Sequence, residues 1–243
     1  VCLKRSNGQK QKWVKNGSDM DRVLSADCFV PGWCSFRIPH SINVHLTYPA
    51  PPPMTIYGLI ANSLGMPQDD YSLRSKLKIG VRILKQGETV ETYTQWMKWN
   101  PAKDSMTMLV TRQKMIQPHY RFYISSDKES LTAIQQALGN PARILYLGES
   151  DDMVEIKNIR LQEAKEAEST TIHSAVPFEA VSDCISPSIN VSVLNWPVSF
   201  DHQGRNSYSV QYELVYVGKQ IDLISPIRCL KLVETQDHIL LES

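Results

Sequence analysis

Apolar positions recur along this chain with two different periods. In LKIGVRILK, residues 77–85, Leu77, Ile79, Val81 and Ile83 fall on one face, the period of a strand. Residues 24–33, 105–115, 120–124 and 153–159 read as strands too, the last by its alternation in MVEIKNI. Helical spacing appears twice. Ile56, Leu59, Ile60 and Leu64 share a face, with Thr55 as the expected N-cap, Gly65 suited to the turn that ends the helix and Pro67 barring its continuation. Leu131, Ile134 and Leu138 share another, after a capping box of Ser126 with Glu129 and before Gly139 and Pro141.

The resulting order is strand, helix, strand, strand, helix, strand. That is the ferredoxin-like (RRM-like) βαββαβ pattern of an α+β fold, with two helices on one face of an antiparallel sheet. Its other face is then expected to be open to a ligand, often RNA in this architecture. LQEAKEAESTT, residues 161–171, is polar and charged and reads as a surface helix or linker. SYSVQYELVYV, residues 207–217, alternates again, and Gly218-Lys219 suits a hairpin into QIDLI. The expected organisation is an N-terminal extension (1–23), a βαββαβ domain (24–160) with an insertion at 93–108, a linker (161–171) and a small β subdomain (172–243).

Four prolines in five positions, Pro49 and Pro51 to Pro53, form a stiff rod before the first helix. Gly58, in the first turn of that helix, costs about 1 kcal/mol relative to alanine. It fits close helix–sheet packing or the approach of a bulky ligand.

Charge is unevenly spread although the total is only +1. Residues 1–26 hold six basic and two acidic side chains, residues 74–121 ten and three, and residues 122–170 five and nine. The basic centre points to a polyanion, against a plain solvated face. Five scattered cysteines make no zinc or disulfide pattern, so reduced cytoplasmic thiols are expected. No apolar run approaches the ~18 residues of a membrane-spanning helix, and the start of the chain does not read as a signal peptide. Phosphate-loop, dinucleotide and serine-hydrolase motifs are absent, no cofactor is expected, and the six histidines lack metal spacing. Asp69-Asp70 and Asp151-Asp152 read as solvated turns.

Aromatics interleaved with cations are the stronger signal. Residues 93–108 hold Tyr93, Trp96, Lys98, Trp99 and Lys103 between two strands, over a length greater than a tight hairpin needs. Bases stack on such rings while lysines neutralise phosphates; the alternative is that the tryptophans fill a core. Lys76, Lys78, Arg112, Lys114 and Arg121, with Arg37, are expected to form much of the ionic surface. His119, with Tyr120, Lys114 and Arg121, has the makings of a metal-free ribonuclease centre, against a plain turn histidine after Pro118.

Together, CSFRIP, LTYPAPPPMTIYGLIANSLG, RQKMIQPHYRFYI, ILYLGESDDMVEI and NWPVSFDHQGRNSYSVQYELVYV resemble one family. It is the RAMP-type CRISPR-associated subunit that caps the 5′ handle of crRNA in type I Cascade complexes, in a form closest to types I-B and I-A. Ser35, Phe36, Arg37, Thr47, Tyr48, Pro49, Pro51, Pro52, Thr55, Gly58 and Leu59 carry its hallmark. The resemblance implies a non-catalytic RNA-binding protein whose partners are the crRNA 5′ handle, the Cascade backbone and large subunits and, through the complex, target DNA. It implies a handle-gripping core at the proline rod and helix, including Tyr48 and Gly58, and a thumb at 93–108 that crosses the guide. The basic extension before the first strand departs from the family. So does the absence of a clear match to the tyrosine, lysine and histidine pattern of the type I-C relatives that process pre-crRNA.

Overall fold

The computed structural model describes residues 22–39, 41, 44–68, 70–98, 106–181, 191–204 and 207–241. The basic extension, apart from Arg22 and Val23, therefore lies outside the described residues. The elements run β1 (Arg22–Phe29), β2 (Trp33–Cys34), β3 (Val44–His45), α1 (Pro53–Ser63), β4 (Lys78–Lys85), β5 (Glu88–Lys98), β6 (Met106–Ile116) and β7 (His119–Ser125). They continue with α2 (Lys128–Gly139), β8 (Glu155–Ile172), β9 (Val176–Pro177), α3 (Phe178–Val181), β10 (Val191–Gly204), β11 (Ser207–Gly218), β12 (Ile221–Leu232) and β13 (His238–Ile239).

Six strands make one sheet in the order β13-β12-β8-β1-β7-β4, antiparallel throughout. Alternation along β1, β7 and β4 sends Leu24, Ala26, Cys28, Tyr120, Phe122, Ile124, Ile79, Val81 and Ile83 to one face. There they pack with Ile56, Leu59 and Ile60 of α1 and Leu131, Ile134 and Leu138 of α2 in one buried cluster. Each such aliphatic contributes about 1.5–3 kcal/mol by leaving water. The helices begin differently from expectation. Pro53 occupies the first turn of α1 after Pro52, so Thr55 lies inside the helix. Asp127, not Ser126, caps α2 by accepting the Ser130 N–H at 2.9 Å.

The opposite face is not open along its whole length. Val23 and Tyr123 are buried there with Ala164, Leu232, Ile239 and Leu241. Residues 237–241 lie over this end. A Cβ on Gly80 would stand 2.9 Å from the Leu240 carbonyl oxygen, so the absence of a side chain lets the backbones meet. Asp237 fastens the segment by accepting from Arg82 Nη1 at 2.7 Å, Tyr123 Oη at 2.8 Å and Arg121 Nη1 at 3.2 Å.

Two further expectations give way. Residues 161–171 are not a linker but the second part of β8, an 18-residue strand. Its first part pairs with β1 and its second with β12, and these ladders override the helical preference of its Glu, Ala and Lys residues. Nor do residues 172–243 stand apart. β12 joins the six-stranded sheet, while β10-β11-β9 form a three-stranded sheet whose Trp196, Val215 and Val217 enter the main core cluster. Gly218 and Lys219 carry the chain from one sheet to the other rather than turning a hairpin, and β11 pairs with β10 instead.

The remaining sheet holds the insertion. β6 pairs with β5 along one edge, and with β2 and β3 near its base along the other. The β5–β6 ladder is regular from Glu88↔Ile116 to Lys98↔Met106. β10, in contrast, carries Pro197 and two register shifts. Among the described residues no helix is long and apolar enough to cross a membrane.

Candidate nucleic-acid interface

Two loops meet at the start of α1. Residues 35–38 run beside 46–48, with Tyr48 N–H donating to the Phe36 carbonyl and Ile38 N–H to the Leu46 carbonyl, both at 2.9 Å. Phe36 N–H donates to Thr47 Oγ1 at 2.8 Å. Residues 148–152 close over them. Gly148 has φ +105°, and a Cβ there would lie 2.4 Å from the Ser35 carbonyl oxygen, so only glycine fits this approach. A small groove of about 190 Å³ is left between Ser35, Arg37, Met54, Thr55, Gly148 and Pro197.

An ion cluster reaches the groove through Glu149. Lys114 Nζ donates to Asp152 Oδ1 and Glu149 Oε2, each at 2.9 Å, and Arg112 pairs with Glu149. Asp152 Oδ2 accepts the Ser35 N–H at 3.0 Å and the Glu149 N–H at 3.3 Å. Asp152 is thus a buried anchor, not a solvated turn residue. Burial raises its pKa, opposed by the Lys114 hydrogen bond and charge. The acidic 122–170 segment therefore neutralises part of the basic centre, which is why segmental charge overstated the exposed cations.

Arg37 stays exposed at the groove, with Nη2 3.4 Å from the Ser41 carbonyl oxygen. His45, buried nearby, has its pKa lowered by desolvation and by the charges of Arg37 and Arg112. Tyr48 is buried and donates through Oη to the Asn195 carbonyl at 2.8 Å. It ties the loop to β10 and offers no open ring face, contrary to its expected contact with RNA. Gly58 is exposed with nothing within 4 Å of its missing side chain, so it serves no close helix–sheet packing. Gly58→Ala is accordingly expected to stabilise the protein by about 1 kcal/mol in thermal melting, by removing a helix-interior glycine.

The hairpin stands beside this groove. Beyond the β3 contacts at Thr111 and Arg112, its outer part is two-stranded among the described residues. Tyr93 and Leu109 are each 70% exposed and Met97 73%, and the strand register sets all three on one face. Trp96 lies opposite Met108 and Lys98 opposite Met106. Trp99 and Lys103 lie outside the described residues.

The other expected contacts are dispersed. Lys76 and Lys78 are exposed at the far end of β4, and Lys78 pairs in register with Ser125. Tyr120 and His119, adjacent in β7, point to opposite faces. Tyr120 packs on Phe36 at 5.9 Å on the helix side, while His119 packs edge-on against Phe29 at 6.0 Å on the other. Arg121 is bidentate to Asp27, at 2.6 and 3.1 Å, and also reaches Asp237. The suggested nuclease constellation is therefore split, because its two cations, Lys114 and Arg121, hold separate carboxylates. The Gly148, Glu149 and Asp152 anchor escaped sequence reading. Its one signal was the glycine preceding ESDD.

The sequence pattern of the family described as CRISPR-associated protein (Cas_Cas5) matches residues 33–212. No curated protein matches the chain significantly. Among solved structures, a chain described as CRISPR RNA-guided surveillance complex superposes with a TM-score of 0.53 at 17% identity, covering 82% of this chain and 91% of that one. A CRISPR protein from Archaeoglobus fulgidus superposes with a TM-score of 0.54 at 12% identity, covering 91% of this chain and 99% of that one. These two likenesses concern the fold. The family match spans the groove, the hairpin and β10, and on that ground the chain belongs to the Cas5 family of CRISPR-associated proteins.

Proposed function

We propose that the protein is the RNA-binding subunit of a type I Cascade complex that caps the crRNA 5′ handle. It organises the foot of the complex for RNA-guided DNA targeting, between the backbone and large subunits. The observation that carries this reading is the two-stranded hairpin beside the Arg37 groove. The sheet order β8-β1-β7-β4, with α1 and α2 on one face, supports the ferredoxin-like reading of its central part. In this reading the hairpin crosses the guide while Arg37 holds a handle phosphate. A base wedged on Trp96 or Trp99 contributes about 1–3 kcal/mol.

The role is non-catalytic. The ion pairs that hold Lys114 and Arg121 support this, because neither stands ready to stabilise a phosphorane. Incubating the protein with repeat RNA in EDTA tests it. Intact RNA is expected, and cleavage that is lost in His119→Ala would reverse the assignment.

Replacing residues 94–110 by a short glycine-serine turn tests the handle reading. The rest of the protein is expected to melt within a few degrees of the parent, whereas assembly with partner subunits on crRNA drops at least about tenfold. Unchanged assembly would refute the role of the hairpin.

A further inference from the structure

We infer that the open end of the second sheet face, on β4, β7, β1 and β8, is a separate binding surface for single-stranded nucleic acid. It goes beyond the handle site, from which the sheet itself divides it.

Strand register builds this surface in rows. The outermost row runs Lys85, His119, Phe29 and Glu155 across four adjacent strands, and the next runs Arg82, Arg121, Asp27 and Lys157. Arg160 stands opposite Ser25 in the row beyond. Residues on the same rows point to the same face, away from α1 and α2. Residues 237–241 cover the other end of the face and stop at Asp237, which holds Arg82 and Arg121. Lys85, Lys157 and Arg160 are left exposed beyond it.

The chemistry fits a strand of nucleotides. Phe29 is half-buried, with His119 edge-on to its ring and Lys157 Nζ 5.8 Å from its centre. Lys157 also pairs with Glu155 at 2.6 Å, where both side chains are at least half exposed. Asp27, the buried carboxylate of the patch, is spent on Arg121 and Asn158. Cations therefore outnumber uncompensated anions on this end. His119 reports the field. Its pKa is lowered by burial and, against the pull of Asp27, by Arg121, Lys157 and Lys85. A partly exposed aromatic ring amid cations on a sheet face stacks a base on its open side while the cations meet its phosphates. An acidic peptide would use the cations but not the ring.

The test uses the full chain with labelled 12-nucleotide oligouridine RNA and oligothymidine DNA, neither carrying a handle sequence. Anisotropy is read across salt concentrations, with oligoglutamate as competitor. Binding of RNA, DNA or both supports the surface, and the ratio names the preferred strand. Lys85→Glu with Arg160→Glu is expected to raise Kd at least about tenfold. It should flatten the slope of log K against log salt by about 1.4, at about 0.7 per lost phosphate contact. Phe29→Leu is expected to raise Kd several-fold with the slope unchanged. Should the charge reversal fail to fold, Lys85→Gln with Arg160→Gln must give the same flattening. Lys128→Gln, an exposed cation on α2 behind the sheet, is expected to leave Kd and slope unchanged, which ties the loss to the patch. Unaltered Kd and slope in folded patch variants, or no binding by the parent, overturns the inference. So does competition by oligoglutamate with no effect of Phe29→Leu, which identifies an acidic-peptide surface instead.

Discussion

Lys114→Met is expected to destabilise the protein by about 3–5 kcal/mol, the cost of removing one partner from a buried ion pair. Lys114 and Asp152 are both buried, and Asp152 keeps two backbone donors but loses its cation. For a chain of this size the melting temperature should fall by on the order of 10 °C. The loss also depends on pH. Burial raises the Asp152 pKa above its ordinary 3.8, and Lys114 opposes the rise. A carboxyl whose folded value is raised favours folding fully below its unfolded value and loses that contribution as pH rises through the folded one. Without Lys114 the folded value climbs further. The gap between variant and parent is therefore expected to widen from acidic to neutral pH in paired melting curves. A gap that narrows with rising pH would show that Asp152 is not the group left exposed to the loss.

Asp237→Ala should cost a similar 3–5 kcal/mol, by a different route. It leaves Arg82 and Tyr123 without the carboxylate that gathers them, and Arg121 with Asp27 alone. The same residue helps to hold residues 238–241 on the sheet. Amide exchange at 238–241 is expected to accelerate far more than exchange in α2, which packs on the other face. Uniform acceleration would mean that Asp237 supports the whole fold rather than the fastening of one segment. His238 N–H, which donates to His173 Nδ1 at 3.0 Å, is a convenient reporter.

Much of the central architecture was legible because its strands are half-buried and its helices amphipathic. Leu77, Ile79, Val81 and Ile83 announce β4 without ambiguity, and all four are buried. Leu131, Ile134 and Leu138 do the same for α2. What failed to read was whatever depends on a distant partner. Residues 161–171 are helix formers in isolation and become strand only because β1 and β12 supply ladders. Asp152 looks like any surface aspartate until Lys114, 38 residues away, is folded against it. Trp196 gave no sign of standing among the most buried described side chains, because its burial comes from packing of the three-stranded sheet against the main core. The site was half legible for the same reason. Composition found the cations and aromatics, whereas only the pleat reveals that Tyr120 and His119 serve opposite faces.

The two long hairpins treat their outer edges differently, and this bears on how the protein behaves in a tube. β10 has Pro197 and two register shifts, devices that discourage another strand from docking. β5 runs eleven residues without proline, glycine or register shift, and among the described residues it pairs only with β6. Such an edge is a template for any extended chain. Purified alone and concentrated, the molecule is expected to self-associate along β5, held back only by Glu88, Glu91 and Lys98. Solubility on co-expression thus becomes a simple readout of whether a partner has sealed that edge.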